Sequence, residues 1–290
     1  MKKPDSISSS FQLAVSAIDA GNIAELEDLI TSDPGLVRDR LRNNENGYFK
    51  DPYLLWFVAD NPIRVDKLPA NIIEITNLLI QAVKRESPDT CQQQIDYTLA
   101  LVASGYIPRE CGVQIPMIDL LIDAGASPDV AMIALTNGNL NAAQHLIDHG
   151  SKLNLALAVC LEHMDDIGHL AAHASDTEKL TALAAAAYYG KANMIKRLLE
   201  MGTDPDGYPA VTSGFHSHAT PLHQAVSSGS LDSVKLLVEA GARRDMPDKI
   251  YDGTPMGWAI YLQSEHSSDE AKQKGFALIE TYLRDLELAN

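Results

Sequence analysis

The sequence has 290 residues, a net charge of −16 at neutral pH, 46% hydrophobic residues and 6% aromatics. That much apolar content argues for a folded core and against disorder. The acidic balance repels nucleic-acid phosphates and anionic lipid headgroups, and no basic cluster offsets it, so neither is an expected partner. The three cysteines, Cys91, Cys111 and Cys160, have no metal-ligand or redox spacing and fit a reducing compartment. No continuous apolar run follows Lys2 and Lys3 and none is long enough to span a bilayer, so a cytoplasmic protein is expected.

Residues 1–10 read as a polar, Ser-rich flexible lead. Phe11, Ala14, Val15 and Ile18 predict one helix face, and Gly21-Asn22 a turn. Ile23, Leu26, Leu29 and Ile30 predict a second helix, stopped by Asp33-Pro34-Gly35. A polar connection carrying Tyr48, Phe49 and Lys50 leads to a predicted helix over Tyr53–Ala59, then an insertion with two prolines, then a long helix from Ile72 to Val83. Ile95–Ser104 and Ile115–Ala124 form the next pair, interrupted by Gly105–Gly112. Val130–Asp148 follows with no room for a finger between it and its neighbour. Leu155–Ser175 is a pair supported by apolar spacing alone.

From Leu180 the pattern becomes regular. Thr181 reads as a cap, Gly190 as a turn and Gly202 as a C-terminal stop. Asp206–Ala219 is an extended finger. Thr220 then caps a helix with Pro221 in its first turn, where the missing N–H costs nothing. Leu222, Ala225 and Val226 line that helix. Leu231, Val234, Leu237 and Val238 line the next, which Gly241 ends. Neither helix is long enough to be stable alone, so the pair has to bury its apolar faces against neighbours of its own kind. Asp248–Gly253 is a second finger tip, Thr254–Gln263 a helix, and Ser267–Leu288 an amphipathic closing helix with Phe276, Ile279, Leu283 and Leu286 inward.

The TPLHQA run at Thr220, its spacing to LLVEAGA, and the restart as DGTPMGWA at Asp252 resemble an ankyrin repeat. The 34 residues from Thr220 to Thr254 are close to that family's period of about 33. The resemblance implies an all-α, ankyrin-type helix-pair solenoid with short β-hairpin-like fingers and an irregular N-terminal half. It would run as one continuous domain over residues 11–290, of about seven to eight pairs, with residues 267–288 as a polar C-terminal cap. It also implies that His223 bonds to turn backbone and to the Thr220 hydroxyl, and that Trp56 stands where the pattern usually has histidine. The architecture resembles stand-alone bacterial ankyrin-repeat proteins, which implies non-covalent protein binding with no enzymatic chemistry and no cofactor.

Fingers and first helices line the groove in such arrays. The expected protein-binding residues are therefore Tyr48, Phe49, Trp56, Tyr208, Phe215, His216, His218, Lys249, Tyr251 and Trp258, with Trp56 and Trp258 equally suited to the core. The acidic balance favours a basic partner, and the polar closing helix a monomer. The alternative is a metal- or small-ligand-binding protein, even a hydrolase, centred on His216 and His218, which alternate on an extended segment and would project to one side. Glu162-His163-Met164-Asp165-Asp166 reads as helix capping and Asp204-Pro205-Asp206-Gly207 as turn chemistry. Cys160 reads as a buried, inert thiol, and no hydrolase, zincin or nucleotide-binding motif occurs.

Overall fold

The computed structural model describes residues 5–42, 47–213, 215–266 and 269–288, all helix, turn or loop with no strand among them. They fall into two compact units, Met1–Lys152 and Leu153–Asn290. No described helix is long and apolar enough to cross a membrane.

In the first unit the helices are α1 (Asp5–Ala20), α2 (Ile23–Ser32), α3 (Gly35–Arg38), a 3-10 helix (Leu54–Ala59), α4 (Ile72–Glu86), α5 (Pro88–Ser104), α6 (Tyr106–Glu110), α7 (Gln114–Asp123), α8 (Ala131–Thr136) and α9 (Leu140–Asp148). Two rows result. An inner row runs α1, 3-10 helix, α5, α8, and an outer row runs α2, α4, α7, α9, each helix packing on the next in its row. The first helix begins inside the stretch expected as a lead; residues 1–4 lie outside the described ones. The loop expected at Gly105–Gly112 holds the short helix α6, whose Ile107 and Pro108 are buried.

The predicted helix over Tyr53–Ala59 is a six-residue 3-10 helix, every residue of it buried. A segment apolar all round carries no period from which the helix type can be read. Asp60 ends it at φ 44°, and its buried carboxylate accepts the Arg64 and Val65 N–H groups at 2.8 and 3.4 Å. Arg64 also reaches Asp19 at 2.7 Å and the Phe57 carbonyl at 2.9 Å, which ties the insertion back to α1.

The second unit holds α10 (Leu155–Cys160), α11 (Met164–His173), α12 (Asp176–Tyr188), α13 (Ala192–Glu200), a 3-10 turn (Val211–Ser213), α14 (Pro221–Ser227), α15 (Leu231–Glu239), α16 (Pro255–Glu265) and α17 (Glu270–Leu288). The inner row is α10, α12, α14, α16, and α13, α15 and α17 pack in sequence outside it. Alanines 182 and 184–187 are fully buried along α12, which lets α10 and α14 approach it closely. Phe276, Ile279 and Leu283 of α17 point inward as expected, whereas Leu286 is half-buried near the helix end.

Thr181 is not the cap of α12. The helix starts five residues earlier, at a capping box in which the Ser175 side chain accepts the Glu178 N–H and the Glu178 carboxylate accepts the Ser175 N–H. That box satisfies two otherwise orphaned donors. The Thr181 hydroxyl instead donates to the Thr177 carbonyl at 2.9 Å.

Several inner helices end in a left-handed residue. Gly21, Gly138 and Gly190 take φ 72°, 78° and 61°, and the next N–H bonds five residues back in each case. After α10 the same slot is filled by Glu162 at φ 61°, with His163 N–H on the Ala158 carbonyl at 2.8 Å. A Cβ makes that conformation costly.

Successive pairs are also joined through carboxylates. Asp96 accepts the Ser127 N–H at 2.8 Å, Asp129 the Lys152 N–H at 3.1 Å, and Asp206 the Arg243 N–H at 2.8 Å. In each case the donor stands two residues past the glycine that follows an outer helix, Gly125, Gly150 or Gly241.

Candidate functional site: the fingers of the second unit

The finger Asp206–Ala219 is entered through turn chemistry at Asp204–Gly207, as the sequence implies. The Asp204 carboxylate accepts the Asp206 N–H at 2.9 Å, and Asp206 holds the next finger through Arg243. The finger ends at Thr220 and His223. The Thr220 hydroxyl lies 2.8 Å from His223 Nδ1, the Thr220 N–H donates to the same nitrogen at 3.3 Å, and His223 Nε2 is 2.9 Å from the Gly253 carbonyl. Nδ1 therefore accepts and Nε2–H donates. Burial pushes the imidazole pKa down, against the opposing pull of the Gly253 carbonyl, so the ring is neutral as this pattern requires. His223 is structural, as the resemblance implied.

The second finger is organised by Asp248, which is 2% exposed. One carboxylate oxygen accepts the Ile250 and Tyr251 N–H groups at 2.9 and 2.7 Å. The other accepts the Gly253 N–H at 3.0 Å and the Trp258 indole N–H at 2.9 Å. Burial alone would raise this carboxyl. The Tyr251, Trp258, Ile250 and Gly253 donors outweigh it and hold the pKa down to about 2. The fingers are joined by Lys249 N–H to the His218 carbonyl at 2.8 Å. Lys249 Nζ also sits 4.0 Å over the Tyr208 ring, whose hydroxyl donates to the Pro247 carbonyl at 2.6 Å.

This framework sorts the expected contact residues. Tyr251 is 78% exposed and Lys249 is exposed beside half-buried Tyr208. Val211, Ile250, Ile260 and Tyr261 add exposed apolar surface on the two fingers and α16. The sequence reading missed these four; Ile260 and Tyr261 are visible as apolar residues on the open side of an inner helix. Trp258 is half-buried and committed to Asp248, with its ring 5.0 Å from His223.

Phe215 is a correction. It is 2% exposed and packs edge-on against Tyr188 at 5.7 Å, so it fills the core and presents nothing to a partner. His216 stacks on Tyr188 at 5.0 Å, and burial, then His218, lowers its pKa. The His216 and His218 rings are 6.1 Å apart at 83°, and among the described residues no third His, Cys, Asp or Glu joins them within metal-ligand reach.

In the first unit Phe49 is also a core residue, which corrects its reading as a contact, and Trp56 takes the core place that its sequence position equally allowed. The Trp56 ring lies 4.3 Å from that of Tyr97 and 5.3 Å from that of Tyr53, with the Arg40 guanidinium 4.5 Å over Tyr53. Tyr48 is exposed and borders a groove of about 470 Å³ lined by Asn61, Ile63, Tyr97, Tyr106 and Ile133. Its hydroxyl donates to Asn61 at 2.9 Å, and its carbonyl accepts the Tyr97 hydroxyl.

The other candidate chemistry resolves as structure. Asp165 and Asp166 occupy the first turn of α11, where the helix dipole favours them, and Glu162 pairs with Lys191. Cys160 is buried, and that burial pushes its thiol up to about 12, against a lesser pull from Lys191.

Residues 155–250 match the family model for ankyrin repeats, three copies. This stretch is an ankyrin-repeat array. Ankyrin repeats in general mediate protein–protein interaction. Among solved structures the chain is similar to the ankyrin repeat domain of human ASB11, at 16% identity and a TM-score of 0.33, over 92% of this chain and 97% of that one. No curated protein matches the sequence. The two fingers described above lie within or at the edge of the matched ankyrin repeats, and the first unit lies outside the match.

Proposed function

We propose that this protein is a non-enzymatic binding module that grips a partner protein through the fingers and inner helices of its second unit. The observation that carries the reading is the set of exposed side chains Val211, Ile250 and Tyr251 on the fingers and Ile260 and Tyr261 on α16, with the second finger held in shape by the backbone N–H groups that Asp248 accepts. Exposed Tyr and aliphatic residues on a pre-ordered frame give contact area at low entropic cost, as binding hot spots require. The net charge of −16 favours a partner face rich in Lys and Arg, drawn in by long-range attraction. A cytoplasmic, monomeric protein is part of the same proposal.

The test is affinity capture with mass-spectrometric identification, comparing the wild-type chain with a Tyr251→Ala, Ile250→Asp double variant. Both side chains are exposed, so the thermal midpoint is expected to hold while the specific partner is lost. Capture of the same partner by the double variant, with an unchanged midpoint, would move the site off the fingers. A hydrolase centred on His216 and His218 is not proposed, because among the described residues no third metal-ligating side chain accompanies them.

A further inference from the structure

The first unit carries a cluster that no sequence motif announces. Asp119 stands on α7 and His145 on α9, consecutive helices of the outer row, and His149 is the residue that caps α9. One ligand atom from each lies within 4.8 Å of the other two. His145 Nε2 is 2.5 Å from Asp119 Oδ1, and His149 Nε2 is 3.9 Å from the same oxygen. The two imidazoles lie one helical turn apart, with ring centroids at 4.3 Å.

The proton on His149 Nδ1 is set by the backbone. Nδ1 is 2.8 Å from the His145 carbonyl, which can only accept, so Nδ1 carries a proton and Nε2, 3.9 Å from Asp119 Oδ1, is the nitrogen left to ligate a cation. Metal-bound histidines are oriented in this way, the second ring nitrogen donating to a carbonyl or carboxylate. Side-chain exposures of 46%, 24% and 38% for Asp119, His145 and His149 leave an approach from solvent.

We propose that Asp119, His145 and His149 form a three-ligand site for a zinc-class divalent cation. Two imidazoles and one carboxylate suit zinc, cobalt(II) or nickel(II) over magnesium or calcium, which prefer all-oxygen sets. With arms of about 2.0–2.1 Å, a tetrahedral ion needs ligand atoms roughly 3.3 Å apart. The 2.5 Å and 3.9 Å separations reach that value by changes of less than about 1 Å, and the third pair of ligand atoms, within 4.8 Å, by about 1.5 Å at most. Three protein ligands leave one position for water or for a group brought by a partner. Because the ligands come from two successive outer helices, the ion would clamp one helix pair to the next.

A second histidine pair separates this site from ordinary helix capping. His169 and His173 on α11 have rings 4.5 Å apart, and His173 Nδ1 is 2.9 Å from the His169 carbonyl, so the local geometry is the same. Among the described residues no acid or thiol completes that pair. Asp119 is what distinguishes the first cluster.

The experiment is equilibrium dialysis of the untagged full chain against zinc with magnesium in excess, together with cobalt(II) visible spectra and thermal midpoints with and without chelator. One saturable zinc per chain is expected, with a tetrahedral cobalt spectrum and a midpoint that rises on zinc addition. Asp119→Asn should weaken zinc by about tenfold or more, the scale on which metal-site changes act. His149→Gln should do the same. A His169→Gln, His173→Gln variant and a His216→Gln, His218→Gln variant should bind as the wild type does. Circular dichroism checks that each variant is folded, and His149, exposed beyond the helix end, is the safeguard if Asp119→Asn perturbs packing. Absence of saturable zinc, or zinc retained at full affinity in both Asp119→Asn and His149→Gln, would overturn the assignment.

Discussion

Replacing Asp248 by Asn tests whether one buried carboxylate sets the second finger. The aspartate accepts four hydrogen bonds at 2.7–3.0 Å, two on each oxygen. The amide is isosteric but keeps one acceptor oxygen, so in either orientation its NH2 faces two donors. These are the Ile250 and Tyr251 N–H groups, or the Gly253 N–H and the Trp258 indole. Each donor left unsatisfied costs about 1–3 kcal/mol, less where water can reach it, so a loss of about 2–4 kcal/mol is expected. The pH dependence gives a second measure. The folded pKa of about 2 lies below the ordinary 3.8, so the stabilisation is fully present above the unfolded pKa and is lost as pH falls through the folded one. It amounts to about 2 kcal/mol, disappearing between roughly pH 5 and pH 1. The chain has two tryptophans, and in a Trp56→Phe background urea unfolding can be followed at Trp258 alone. A loss below about 0.5 kcal/mol, the range of neutral surface changes, with the acid slope unaltered, would refute the assignment of Asp248 as organiser.

The remaining predictions concern single side chains. Phe215→Ala is expected to cost about 3–5 kcal/mol in urea unfolding, as for a fully buried aromatic, whereas Tyr251→Ala should stay within about 0.5 kcal/mol. Glu162→Gly should stabilise the second unit by about 1 kcal/mol, because relief at φ 61° exceeds the small worth of an exposed pairing with Lys191; a destabilised variant would contradict this. At pH 8 a chromogenic thiol reagent should titrate half-buried Cys91 and Cys111 in the folded chain and reach Cys160 only after denaturation.

The most legible parts of the sequence were those where local chemistry and packing agree. Thr220-Pro221-Leu222-His223 states its own cap, and the structure places every bond it implies. The 3-10 helix at Leu54–Ala59 was visible as a buried segment but not as a helix type, because burial on all sides erases periodicity. The cap of α12 lies before Leu180, where the regular pattern is read to begin, and the Ser-x-x-Glu spacing from Ser175 to Glu178 is the signal that marks it. Phe215 looked like a finger residue because finger and core differ there by one position: the Phe215 ring turns inward and the next side chain is half-buried. In the Asp119, His145 and His149 cluster only the i, i+4 spacing of the two histidines is visible in the sequence, since Asp119 is brought to them by the stacking of helix pairs and not by chain proximity.

The carboxylates that reach from one pair to the backbone of the next set a rule for recombination. Asp129 serves Lys152 and Asp206 serves Arg243, always at the second residue past a glycine. A whole repeat can therefore be duplicated, excised or grafted only in a register that returns an acid to that amide. Any other splice would leave an unanswered donor at the seam, however well the apolar faces matched. Gene-level shuffling of this array, natural or engineered, should be tolerated at those seams and resisted elsewhere.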